Sequence, residues 1–245
     1  ARSTAQDRLD RAEQILGWSV LDLSKSEDDR LSRTLYTQPC LYVVESLLAD
    51  ELRQEGKTPD FVAGHSLGEY VALYVAGVFD FESGLRLVKR RAELMNGVSG
   101  GLMAALMKFD RAEGDEQLQK TPDVVLANDN SPDQVVISGT PDAVETILSQ
   151  VKAKRAVKLN VSGAFHSPLM ATAALEFQQV LNPIAFADAQ IPVLSNVDPQ
   201  PATRGSLLKD RLLRQMTGSV RWREICLQFP AEGIEQAIEV GPGKV

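Results

Sequence analysis

A short apolar run, Phe61, Val62 and Ala63, leads into Gly64-His65-Ser66-Leu67-Gly68, and a helical pattern follows at once. The stretch 59–65 is too brief for a helix and reads as a buried strand. A G-x-S-x-G pattern with a strand before it and a helix after it admits few local folds. The two glycines allow a sharp strand-to-helix turn that lifts Ser66 into the open in a strained conformation. The pattern also fits a structural Gly-Ser turn at a helix N-cap, but the strand-turn-helix setting favours the exposed serine. Backbone N–H groups at the start of the new helix, that of Leu67 first, are then free to meet negative charge developing beside Ser66.

The rest of the chain alternates helices with single apolar strands. Helical spacing covers 5–17, 38–55 (with Leu41, Val44, Leu48 and Leu52 on one face), the segment after Ser66 to Gly77, and 81–96. From Ser167 it resumes, with Ala173, Phe177, Val180 and Leu181 on one face, and continues at 205–217 and 221–232. Strand candidates lie at 191–195 and 234–240. Such alternation implies an α/β fold with a mostly parallel sheet covered on both faces. Between 102 and 161 the texture changes. Strand-like runs at 102–109, 124–127, 134–138 and 156–159 enclose helical stretches near 111–120 and 141–152. Strand-helix-strand-strand-helix-strand is the plan of a ferredoxin-like unit. The expected domains are therefore 1–101 with 162–245, and an inserted 102–161, hinged at Gly97, Gly100 and Gly101 and at Ser162-Gly163.

With a net charge of -7, the chain lacks the basic footprint of a nucleic-acid binder. No apolar run approaches the roughly 20 residues that cross a bilayer, and the polar start lacks the apolar core of a secretory signal. Cys40 and Cys226 have no metal-like spacing and read as buried, reduced thiols, which implies a cytosol-like compartment. No metal or bound cofactor is expected.

A serine at its ordinary pKa needs a neighbouring base. The chain holds only two histidines, His65 and His166. His65 points away around the turn and suits the pocket floor. His166 lies where the insert returns and a helix begins. A lone histidine there would commonly cap a helix or pack in the core, but as the remaining base for Ser66 it is favoured for catalysis. No acidic third member falls where hydrolases of this turn place one.

GHSLGEY at 64–70, LVKRRAELM at 87–95, NDNSPDQVVISG at 128–139 and GAFHSPLM at 163–170 resemble the malonyl-CoA:acyl-carrier-protein transacylases, the acyltransferases of fatty-acid and polyketide synthesis. IPVLSNVD at 191–198, RQMTGSVRW at 214–222 and EVGPGKV at 239–245 extend the likeness in the same order over nearly the whole chain. The resemblance implies an α/β-hydrolase-like large domain with a ferredoxin-like insert. It implies malonyl transfer from malonyl-CoA to the phosphopantetheine thiol of an acyl carrier protein. It makes Ser66 the nucleophile and His166 its base, with Leu67 at the oxyanion and a backbone carbonyl at Gln215 orienting the histidine. Arg91 would grip the malonyl carboxylate, a planar fork that Lys cannot imitate. Phe165 would leave little room for an α-methyl branch, and Met95, Asn130, Ser138 and Asn196 would lie near the cleft.

The family's N-terminal strand and its Gly-Gln-Gly loop, which supplies a second oxyanion N–H, have no counterpart in these 245 residues. Loss of such a donor costs about 3 to 4 kcal/mol of transition-state stabilisation. The expectation is therefore a piece of a longer chain, cytoplasmic, or stromal if a plastid transit peptide precedes it. A monomer is the default. An acidic carrier would need local positive charge. Arg204, Lys209, Arg211, Arg214, Arg221 and Arg223 form one basic group, and Lys152, Lys154, Arg155 and Lys158 another; either serves equally as a solvated face. The rival activities are extender supply to a polyketide synthase, an acyl hydrolase or thioesterase of the same fold, and a non-catalytic docking module.

Overall fold

Several helices begin where an acid or hydroxyl accepts an orphan backbone N–H, three of them around the middle of the chain. The caps are Asp80 to Ser83 N (2.7 Å), Asp110 to Glu113 N (3.0 Å) and Thr140 to Ala143 N (3.4 Å). The structure, a computed structural model, describes residues 4–27 and 29–242. Its elements run α1 (Thr4–Leu16), α2 (Val20–Lys25), a 3-10 turn (Asp29–Ser32), α3 (Thr34–Gln54), β1 (Val62–Ala63), α4 (Gly68–Val75) and α5 (Phe81–Gly97). Then come β2 (Leu102–Phe109), α6 (Arg111–Lys120), β3 (Val124–Ser131), β4 (Gln134–Gly139), α7 (Pro141–Gln150) and β5 (Ala153–Lys158). A second 3-10 turn (Pro168–Met170), α8 (Ala171–Leu181), β6 (Val193–Leu194), α9 (Gly205–Gln215) and α10 (Trp222–Ala231) follow.

The fold is α/β with two separate sheets. β1 and β6 pair in parallel, Val62 opposite Val193 and Ala63 opposite Leu194. Helices enclose this pair: α3 packs on α4 and α5, α1 on α3 and α5, and α8 on α5 and α9. The other sheet is antiparallel in the order β3-β4-β2-β5, the split arrangement of a ferredoxin-like unit. Its strands alternate between two cores, as a period of two requires. Ala104, Leu106, Val135 and Ile137 pack with Val144 and Ile147 of α7, whereas Met103, Ala105 and Val136 join the core of the large body. Both faces being covered explains why β2 and β4 read as continuous apolar runs.

The sheet is pinned to the body along β3. Asp129 N donates to Val220 O (2.9 Å) and Val220 N to Ala127 O (2.8 Å), just before α10. The stems of the insert are close-packed too. A Cβ on Gly101 would come within 2.3 Å of Ala164 N, and Ser162 Oγ donates to Met95 O (3.1 Å). Gly97 and Gly100, earlier in the same stretch, face open space.

Several expectations need correction. In α3 the buried side chains are Gln38, Pro39, Cys40, Tyr42, Val43 and Ser46, while Leu48 is exposed. The inward face carries polar groups, of which Tyr42 donates to Phe81 O (3.2 Å) and stacks on the Phe81 ring at 5.6 Å. Aliphatic periodicity does not register such a face. β1 and β6 shrink to two residues each, and Val62 and Ala63 are half-buried. Residues 234–240 form no strand and are largely exposed; they pair with no strand among the described residues, and an extended segment without a partner has no ladder bonds to hold it. Cys40 is buried and reduced as expected, but Cys226 is half-buried. Of the motif at 239–245, residues 243–245 lie outside the described residues.

Candidate active site

Ser66 sits between β1 and α4 with φ of +50°, a left-handed conformation that a residue with a Cβ adopts only under constraint. Gly64 makes the turn possible, because a Cβ there would strike the carbonyl carbon of Gly68 at 1.9 Å; Gly68 itself faces open space. Asn196, just after β6, clamps the turn. Its Oδ1 accepts from Ser66 N (2.7 Å) and its Nδ2 donates to Gly64 O (2.7 Å). Past the turn, Gly68 N donates to His65 O and Glu69 N to Ser66 O. The Leu67 N–H between them has no acceptor among the described residues.

His166 reaches the serine from the far side of the insert, also with a positive φ (+55°). Its Nε2 is 2.9 Å from Ser66 Oγ, and its Nδ1 is 2.9 Å from the backbone oxygen of Gln215 at the end of α9. A carbonyl can only accept, so Nδ1 carries the proton and Nε2 is left to accept from the hydroxyl. Burial, and then the nearby Arg91 charge, push the His166 pKa down to about 3, against a pull upward from the Gln215 carbonyl. The resting imidazole is neutral, as a base must be.

Arg91 extends from α5 and is 1% exposed. Its Nη2 donates to Ser66 Oγ (2.9 Å) and Gln215 Oε1 (3.2 Å), its Nη1 to Gln38 Oε1, and its guanidinium lies 5.4 Å from the Tyr70 ring centre. Its Nε has no hydrogen-bond partner among the described residues. Ser66, His166, Gln215 and Arg91 thus close a ring of hydrogen bonds in which Gln215 uses both its backbone and its side-chain oxygen. Burial lowers the Arg91 pKa, but a guanidinium starts so high that it keeps its charge.

Met95, Phe165 and Asn196 are all buried. Met95 Sδ accepts from Gln38 Nε2 (3.3 Å) and so steadies the partner of Arg91. Phe165 packs in the core beside His166. Asn196 spends its amide on the turn, where a substrate cannot use it. Asn130 in β3 takes His65 Nε2 at 2.8 Å, and the His65 ring meets Trp222 edge-on at 5.5 Å, so His65 ties the turn to β3 and α10 and stays off Ser66. Ser138 is fully buried on β4, and its hydroxyl has no partner among the described residues. Gln38 and Glu69, which the sequence had not singled out, complete the network. Glu69 Oε2 accepts from Gln215 Nε2 (2.7 Å) and Asn196 N (3.1 Å).

Most of the first basic group is spent internally. Arg211 is buried against Asp198, Arg214 pairs with Asp210, Arg221 with Glu224 and Arg223 with Asp129, and Lys209 Nζ caps the carbonyls of Asn182 and Ile184. In the second group Lys158 pairs with Glu145, while Lys152, Lys154 and Arg155 are exposed and have no ion-pair partner among the described residues.

A family model described as the acyl transferase domain matches residues 2–243. The chain belongs to the acyl transferase domain family. Among relatives of this acyltransferase is a Synechocystis protein named malonyl CoA-acyl carrier protein transacylase, 57% identical over 241 residues, which cover 98% of this chain and 82% of that protein. A crystal structure of the Synechocystis malonyl-CoA:ACP transacylase superposes with a TM-score of 0.97 at 56% identity, covering 100% of this chain and 83% of the other. A structure of a malonyl-transacylase in complex with a type II polyketide acyl-carrier protein matches with a TM-score of 0.91 at 35% identity, over 98% of this chain and 81% of that one. No helix among the described residues is long and apolar enough to cross a membrane, and no cluster of His, Cys, Asp or Glu among them could hold a metal ion.

Proposed function

We propose that this acyltransferase moves a malonyl group from malonyl-CoA to the phosphopantetheine thiol of an acyl carrier protein, through a malonyl-Ser66 intermediate, and so supplies extender units for fatty-acid synthesis. The observation that carries the reading is the Arg91 guanidinium, 2.9 Å from Ser66 Oγ inside the protein. A fixed cation beside the nucleophile suits an acyl group with a free carboxylate and penalises an uncharged fatty acyl tail, which argues against a lipase or thioesterase.

In the first half-reaction His166 Nε2 takes the Ser66 proton and Oγ attacks the thioester carbonyl. The Leu67 N–H faces the oxyanion. The C–S bond breaks and the CoA sulfur leaves with the proton from His166. In the second half the carrier thiol gives its proton to His166 and its sulfur attacks the malonyl ester. Ser66 Oγ then leaves with that proton. Arg91 holds the carboxylate through both halves, turning binding energy into orientation. The Gln215 carbonyl keeps His166 in the required tautomer, with less stabilisation of the imidazolium than a carboxylate would give. Phe165 narrows the space beside the acyl carbon.

The reading extends to the surroundings of the site. Residues 102–161 act as an inserted domain against 1–101 and 162–245, and the free cations Lys152, Lys154 and Arg155 meet the acidic carrier. The protein works as a cytoplasmic monomer without a bound cofactor. Fatty-acid supply is preferred over polyketide supply because the more similar relative carries no polyketide designation, whereas the more distant complex does. Incubation with labelled malonyl-CoA, with and without carrier, tests the reading. Label should pass to the carrier when it is present and stay on the protein when it is not; release into water would identify a hydrolase.

A further inference from the structure

Glu69 lies in the first turn of α4, three residues past Ser66, and is fully buried. No step of the transfer described above uses it. Both groups that reach its Oε2, Asn196 N and Gln215 Nε2, are donors, and its Oε1 has no partner among the described residues. Two donors meeting on one oxygen is the pattern a carboxylate satisfies, and the buried Ser195 hydroxyl beside the carboxyl can donate to it as well.

The bond from Gln215 decides which way the Gln215 amide faces. With its NH2 held by Glu69 and by Ser66 O (2.9 Å), its Oε1 must face Arg91 Nη2 at 3.2 Å. Turned over, the amide would press its NH2 against a guanidinium that has only donors to offer. The Gln215 backbone oxygen meanwhile holds His166. A fully buried guanidinium also needs opposite charge nearby, and among the described residues no carboxylate oxygen pairs with Arg91 directly. Glu69, behind the Gln215 amide, is the carboxylate placed to offset it.

We infer that Glu69 is a positioning residue of the transfer reaction: its carboxylate turns the Gln215 amide toward Arg91 and offsets the guanidinium's charge. This rests on the functional reading above. Burial, the largest effect, raises the Glu69 pKa above the usual carboxylate value, while the bonds from Gln215, Asn196 and Ser195 and the charge of Arg91 act the other way. Arg91 in turn is the strongest charge acting on His166. Without the Glu69 charge, Arg91 would bind the malonyl carboxylate more tightly and oppose the imidazolium more strongly.

Glu69→Gln keeps an acceptor for both bonds and removes only the charge. At saturating carrier, kcat should fall about tenfold while KM for malonyl-CoA falls about threefold, a split that loss of packing alone would not produce. With acetyl-CoA, which brings no carboxylate, kcat should fall and KM should stay. An unchanged or raised KM for malonyl-CoA, or equal shifts for both thioesters, would overturn the inference. Glu69→Asp keeps the charge but draws back from Gln215, so it should lower kcat and leave KM for malonyl-CoA in place. This carries the test if Glu69→Gln does not fold, and a lowered KM in Glu69→Asp would again overturn it. Wild-type protein that moves no malonyl group in the same assay would break the functional reading instead.

Discussion

Behind Ser66, Arg91, Gln215, Asn196 and Glu69 exchange hydrogen bonds out of reach of water. On the outside, Arg214 and Asp210 of α9 face each other at 2.9 Å with both side chains about half exposed. The distances are alike and the consequences are not. A surface pair exchanges its partner for water at little loss, whereas a buried group that loses its partner keeps its desolvation penalty. Short contacts therefore report stability and function in the interior, and mainly solvation outside.

Four measurements would sharpen or break that contrast. The largest effect is expected from Arg91→Ala, which should lower the preference for malonyl-CoA over acetyl-CoA in kcat/KM by about a hundredfold. An unchanged ratio would remove Arg91 from carboxylate binding. Next, Asn196→Ala strands Ser66 N and Gly64 O, and it should destabilise the protein by about 2 to 3 kcal/mol in urea unfolding. A change no larger than that of a surface variant would place the Asn196 clamp outside the buried class.

A smaller effect comes with pH. The ordinary His166 pKa of 6.5 falls to about 3 in the folded protein. Between those values the unfolded chain binds a proton that the native state refuses, so this group's contribution to stability is lost as pH falls from about 6.5 toward 3. A His166→Asn variant should lose stability less steeply than wild type over that range. The acid limb of wild-type kcat/KM should accordingly lie well below pH 6.5, and a limb centred there would show an imidazole in ordinary solvent. Smallest of all, Arg214→Ala should leave the urea midpoint within experimental error; a clear drop would mean that the outer pairs matter as the inner ones do.

The antiparallel unit was the more legible half of the fold. β2 and α6 begin and end where the sequence places them, because apolar runs stop at Asp110, a cap, and resume after Pro122. α3 was misread because Tyr42, Gln38 and Ser46 face inward, and their polarity disguises a buried stripe. The site divides the same way. Ser66 announces itself through a local turn. The Gln215 carbonyl, a backbone atom with no residue signature, entered only through family resemblance. Gln38 and Glu69 were missed although both stand beside readable features, Gln38 before Pro39 and Glu69 directly after the turn. Their partners lie dozens of residues away in the chain, and no periodicity carries such a distance.

The central claim is that the buried ring around Ser66 makes that hydroxyl the acyl carrier. Intact-mass analysis and peptide mapping after brief exposure to malonyl-CoA, followed by a chase with carrier thiol, address it directly. We predict one malonyl group on the peptide holding Ser66, absent in Ser66→Ala and transferred to the carrier during the chase. A malonyl adduct that persists in Ser66→Ala, or one on Ser66 that the carrier never removes, would contradict it.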